Sequence, residues 1–130
     1  MIVRPAQDLA GAMRHLERAL PFDVYDSGCS APEIVGDGVV LEVLADDGAQ
    51  VGAFVAILHQ YSGGRMLRCA AAGGEPGHDL AGFISKYLTR SARRVGAHTV
   101  TFETRRKGLI RRLEPEGFKV AGFILTKSIA

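Results

Sequence analysis

The chain has 130 residues, of which 47% are hydrophobic and 23% charged, and its formal net charge is +2. That composition fits one globular domain around a single core and excludes a disordered or low-complexity chain. Charge or glycine interrupts every apolar run well before the roughly 20 residues a membrane span needs, so no membrane partner is expected. The opening Met1-Ile2-Val3-Arg4-Pro5 lacks the basic region and long apolar stretch of a secretory signal. Cys29 and Cys69 match neither a disulfide framework nor a zinc spacing. A single cytoplasmic domain over 1–130, with two free thiols and no metal, is the expectation.

Ile2 to Pro5 predicts a short strand. A helix from about Ala6 to Leu20 follows, its apolar positions Leu9, Met13, Leu16 and Leu20 recurring at helical spacing until Pro21 stops it. Residues 22–38 hold Asp, Ser, Gly and Pro without clear periodicity and read as a loop or a short irregular helix. Val39 to Leu44 is β-branched and apolar, Asp46-Asp47-Gly48 is a turn signal, and Val51 to Gln60 is the return strand. The turn at Tyr61-Ser62-Gly63-Gly64 leads to a third strand, Arg65 to about Ala72. Leu80, Phe83, Ile84, Tyr87, Leu88, Ala92 and Val95 then mark the clearest amphipathic helix, closed by Gly96. Thr99 to Glu103 predicts a strand, Lys107 to about Glu114 a short helix with Leu109, Ile110 and Leu113 inward, and Val120 to Lys127 a last strand. A strand–helix–strand unit over 65–103 requires a crossover helix and two parallel strands. The fold class is α/β: a mixed sheet with helices on its faces, in the order β-α-β-β-β-α-β-α-β.

Charge is unevenly divided. Residues 1–50 sum to −6 and residues 51–130 to +8, with nine basic residues between Lys86 and Arg112 against the single acid Glu103. Such a stripe attracts an acidic protein surface, phosphates or nucleic acid, or is the solvated face of two helices. No aromatic interleaving accompanies it, which weighs against nucleic acid.

The element order resembles the GNAT fold, the N-acetyltransferase architecture that binds acyl-coenzyme A. The likeness is carried by Ala92-Arg93-Arg94-Val95-Gly96 with Val100 and Phe102, and by Leu109-Ile110, Leu113 and Gly117-Phe118. More narrowly, Ala70-Ala71-Ala72-Gly73-Gly74, Ala92-Arg93, Arg105-Arg106-Lys107-Gly108 and Gly117-Phe118 are similar to short GNAT-like proteins of tailed bacteriophages, some of which are linked to virion assembly. In that family the turn before the long helix cradles pyrophosphate on bare backbone donors. The resemblance puts Pro76 at the family's basic position, Asp79 at its first motif glycine and Ala81 at its second. Asp79 also reads as a helix N-cap that takes donors a diphosphate would use. Gly73, Gly74 and Gly77 offer a different anion nest.

Three readings follow. In the preferred one the acyl-coenzyme A site is degenerate, and Arg90, Arg93, Arg94, Arg105, Arg111 and Arg112 meet an acidic protein surface or a virion component. In the second the chain is an acetyl-coenzyme A-dependent N-acetyltransferase on an unnamed amine. Ala71, Ala72, Gly74, Gly77, His78 and Ala81 would then hold the cofactor, with Arg106 and Lys107 at its phosphates. The strand Val51 to Gln60 has no carboxylate and the family's tyrosine position is Leu113, so His59 is the candidate base. The third reading is direct nucleic-acid binding. An open groove between strands 51–60 and 65–72 would favour the enzyme.

Overall fold

The computed structural model describes residues 1–129. Strand β1 (Ile2–Pro5) pairs antiparallel with β2 (Val39–Leu44), β2 with β3 (Gln50–Tyr61), and β3 with β4 (Gly64–Gly74). Strand β5 (Thr99–Phe102) lies parallel to β4, Met66 opposite Thr99 and Cys69 opposite Phe102, as the crossover argument requires. The sheet order is β1-β2-β3-β4-β5.

Helix α1 (Leu9–Glu17) is shorter than the periodicity predicts. Asp8 starts it by accepting the Gly11 amide at 2.9 Å, and it has ended before Pro21, which sits in a separate 3-10 turn at Leu20–Phe22. Its buried face runs through Gly11, Ala12, His15 and Leu16, and Leu9 is exposed. Small residues prevail there because the helix lies against the sheet so closely that a Cβ at Gly73 would collide with the His15 carbonyl. Residues 22–38 contain a one-turn helix, α2 (Ala31–Val35), with a reciprocal cap between Ser30 and Glu33.

Helix α3 (Leu80–Val95) follows the predicted bounds and ends at Gly96, whose φ of +70° is the left-handed cap expected from the sequence. Ala81, Ile84, Leu88 and Ala92 face the core. Tyr87 packs edge-on against Phe54, ring centroids 5.8 Å apart, which is the packing role its helical face implies. One core, including Val43, Phe54, Ile84 and Leu88, lies under α3. The other, including Leu16, Ala53 and Val55, lies under α1 and α2. Helix α4 (Lys107–Leu113) buries Leu113 and leads through a 3-10 turn at Glu114–Glu116 to Phe118, which packs on Phe102 with centroids 5.2 Å apart.

One predicted element does not form. Residues 119–129 have no regular structure and are exposed throughout. The run Val120 to Lys127 reads as a strand, but a strand exists only when its backbone groups are paired, and nothing in the described chain pairs with them.

Candidate functional site

Consecutive Val55 and Ala56 on β3 face Ala71 and Cys69 on β4, so Ala70 is an extra, bulged residue. A bulge bends its strand and ends regular pairing. Here it coincides with the last rung to β5, where the Glu103 amide donates to the Cys69 carbonyl at 3.2 Å. Beyond that rung β5 gives way to the loop toward α4 while β4, still paired with β3, continues to Gly74. The two strands splay, and a cavity of about 350 Å³ opens between them. This corrects the expected place of the groove. Strands β3 and β4 stay paired from Gly52–Gly74 to Tyr61–Gly64, so no space exists between them.

Small side chains at Ala70, Ala71 and Ala72 leave the cavity its width. Cys69 and Phe102 are further along its walls, with Leu80, Ala81 and Ile84 from α3 and Leu109 and Arg112 from α4. Arg18, Ala19, Phe22 and Asp23 close the opposite side. Arg18 reaches there from the end of α1, donating to the Gly74 carbonyl at 2.6 Å and lying 3.4 Å from Glu75. Arg105 clasps the same segment, donating to the carbonyls of Asp23 at 2.7 Å and Pro21 at 2.8 Å. Arg106 lies over the Phe22 ring, 5.7 Å from its centroid.

The turn into α3 has two sides. Asp79 caps the helix as the sequence suggests, its carboxylate accepting the Gly82 amide at 3.2 Å. The amides of Gly77, His78, Asp79 and Ala81 donate to no protein acceptor among the described residues. Those donors stand in the turn and first residues at the start of a 16-residue helix, whose dipole adds partial positive charge. Gly77 has a φ of +91°, open to glycine and strained for other residues.

Two of the carboxylates lining the cavity, Asp23 and Glu103, are already engaged. Burial pushes the Asp23 carboxyl up, but the Ser27 hydroxyl and the amides of Ser27 and Tyr25 outweigh it and hold it below the usual range. Glu103 is bound by both ends of the Arg68 guanidinium. Burial drives the Cys69 thiol up to about 12, so it stays protonated.

Seven of the eight residues expected at a cofactor, Ala71, Ala72, Gly74, Gly77, His78, Ala81 and Arg106, line this one cavity, and Lys107 does not. His59 stands on β3 beyond the splay, opposite Met66, with its ring 3.3 Å from Arg68. The basic stripe is divided: Arg112 lines the cavity, Arg105 holds the 21–26 segment, and Arg90, Arg93, Arg94 and Arg111 are exposed without a carboxylate partner among the described residues. Arg18, Phe22, Asp23 and Glu103 escaped the sequence reading. No local pattern marks them, because they reach the cavity only through the packing of α1 and the path of the chain after β5.

No family model and no curated protein matches the sequence. Solved structures do match it. A putative acetyl transferase from Pyrococcus furiosus superposes with a TM-score of 0.71 at 12% identity, over 98% of this chain and 99% of that one. The fold is GNAT-like. Glucosamine-6-phosphate N-acetyltransferase from Arabidopsis thaliana gives 0.65 at 12% identity over 99% and 98% of the two chains. An aminoglycoside 6'-N-acetyltransferase from Acinetobacter haemolyticus gives 0.65 at 12% over 100% and 99%. At such identities the GNAT likeness establishes architecture alone. No helix among the described residues is long and apolar enough to cross a membrane.

Proposed function

We propose that this GNAT-like chain binds acyl-coenzyme A in the splay between β4 and β5 and transfers the acyl group to an amine. The observation that carries the reading is the open cavity itself: a slot lined by alanines and glycines, ending at the turn into α3, where the amides of Gly77, His78 and Ala81 have no acceptor among the described residues, with Arg106 and Arg112 on its wall. That donor set fits a slender, extended molecule with a diphosphate at one end. When bound, acyl-coenzyme A would supply an acyl group activated as a thioester.

The chain's own residues then have separable tasks. The amides of 77–79 and 81 bind phosphate oxygens, and Arg106 and Arg112 supply positive charge. Ala70, Ala71 and Ala72 keep the slot wide enough for a narrow chain. Phe22 and Asp23 form the wall on the acceptor side. The lining carboxylates are already engaged: Asp23 is held ionised by its own loop, Glu103 is held by Arg68 and Glu75 lies 3.4 Å from Arg18, while the His78 imidazole belongs to the turn assigned to the phosphates. The acceptor therefore enters as the free amine, its proton left in solvent, and the rate climbs tenfold per pH unit up to the acceptor's own pKa.

Calorimetric titration with acetyl-coenzyme A tests binding, and thiol release on a panel of primary amines tests transfer. Micromolar affinity that falls on Arg106→Glu supports the site; no heat up to millimolar ligand overturns it. One observation favours a second reading. The Asp79 carboxylate stands at the phosphate end, where like charges repel. A chain that binds weakly and releases no thiol would be the non-catalytic binding or virion-assembly component implied by the likeness to short phage GNAT-like proteins.

A further inference from the structure

A second cavity, of about 400 Å³, lies along α1. Asp8, Gly11, Arg14, His15 and Arg18 line it from one face of the helix and its cap. Gln50 at the start of β3 and Glu75 just after β4 close the other side, and only Arg18 and Glu75 are shared with the cavity between β4 and β5. Every lining residue is polar, charged or glycine, so the guest is polar too. Three features point to a ligand. First, Gln50 Nε2 donates to the Asp8 carbonyl at 3.0 Å and to Glu42 at 2.8 Å, which fixes the amide and turns its Oε1 the other way. A Cβ at Gly11 would collide with both Gln50 Oε1 and Asp8 Oδ2. Two acceptor oxygens thus meet over a bare glycine, and neither receives a hydrogen bond among the described residues. Second, Arg14 stands three residues further along the helix, exposed and held by no carboxylate among the described residues. Third, His15 is only 8% exposed, and its Nδ1 is buried with no partner among the described residues. A buried ring nitrogen of that kind calls for one.

We propose that this cavity binds a free α-amino acid, its ammonium between Asp8 Oδ2 and Gln50 Oε1 and its carboxylate on Arg14. An ammonium has three hydrogens to donate and suits a pair of bare acceptors. A guanidinium takes a carboxylate through two parallel bonds. Gly11 and Arg14 are about 5 Å apart along the helix axis, a spacing that one amino acid bridges with its two charged ends. Charge excludes simpler guests. A cation alone would face Arg14 and Arg18, and an anion alone would face Asp8 and Glu75; a molecule with both charges escapes either penalty. His15, Arg18 and Glu75 are left for the ligand's side chain. Burial and the charges of Arg18 and Arg14 lower the His15 pKa against the pull of Glu75 and the Gln50 carbonyl, so the imidazole is neutral and offers one donor and one acceptor. The site stands independently of acyl transfer.

The test is a titration of the full chain with single L-amino acids, followed through its amide resonances and the ring nitrogens of His15. The expected result is saturable, submillimolar binding by one or more of them, moving the amides of Gly11, His15 and Gln50 together with the His15 ring. Capping either end of that amino acid, as its N-acetyl form or as its amide, should weaken binding about tenfold or more. Arg14→Ala should do the same with the thermal melt of the free chain unchanged, since Arg14 is exposed. No saturable shift with any L-amino acid up to millimolar concentration overturns the proposal. So does equal binding of a capped form, which would reduce the site to a single charge contact, or binding that survives Arg14→Ala. Shifts confined to the splay between β4 and β5 overturn it as well, because the amino acid would then be a guest of that cavity.

Discussion

The Asp79 carboxylate accepts the Gly82 amide at 3.2 Å at the start of α3, beside four amides that have no acceptor among the described residues. One side chain thus stabilises the helix and puts a negative charge where the cavity is otherwise prepared for an anion. The two effects pull in opposite directions on replacement. Asp79→Ala should lower folding stability by about 1 kcal/mol, the usual worth of an N-cap. It should also tighten coenzyme A binding severalfold, because a fifth donor is freed and the repulsion is gone. Denaturant unfolding and calorimetric titration of the same variant check both signs.

Arg106 and His59 separate the cavity from its surroundings. Arg106 is on the cavity wall, and Arg106→Glu should weaken coenzyme A binding about tenfold or more, with a reduced salt dependence. His59 is outside the splay beside Arg68, so His59→Ala should leave affinity and turnover unchanged. A drop in turnover for His59→Ala, with affinity intact, would return that histidine to the role of base.

Glu42 is a buried carboxylate on β2, 1% exposed, that has nothing to do with the cavity. It accepts from Arg4 at 2.6 Å and from Gln50 at 2.8 Å. Burial pushes its pKa up, but these bonds and the amides at residues 7 and 8 outweigh burial and hold it at about 2. Because the folded value lies below the ordinary 4.5, the stability it adds is complete above pH 4.5 and is lost as pH falls toward 2. Glu42→Gln should cost roughly 1–3 kcal/mol at neutral pH and flatten that part of the acid profile. Thermal melts across the acid range would show the difference.

The two thiols should react at very different rates. Cys69 is buried with its pKa at about 12, and Cys29 is partly exposed in the 22–38 segment. An aromatic disulfide reagent at pH 8 should titrate one thiol rapidly in the native chain and both after unfolding. Fast reaction of both in the native state would mean that β4 opens at the splay.

Periodicity and turn chemistry alone determined most elements: the meander from Val39 onward, α3 with Gly96 as its cap, and the parallel return of β5. These rest on local rules, a period of two or 3.6 and a glycine where φ must be positive, and such rules are written residue by residue. The run Ala70–Gly74 and the cap at Asp79 were legible for the same reason. Tertiary structure decided the rest. The Ala70 bulge moved the opening from between β3 and β4 to between β4 and β5, since a bulge is a mismatch between two strands and neither contains it alone. Arg18, Phe22 and Asp23 reach the cavity only because α1 lies tight against Gly73. The last segment reads as a strand but becomes one only if a partner edge is free to receive it, and pairing is a property of the assembled sheet.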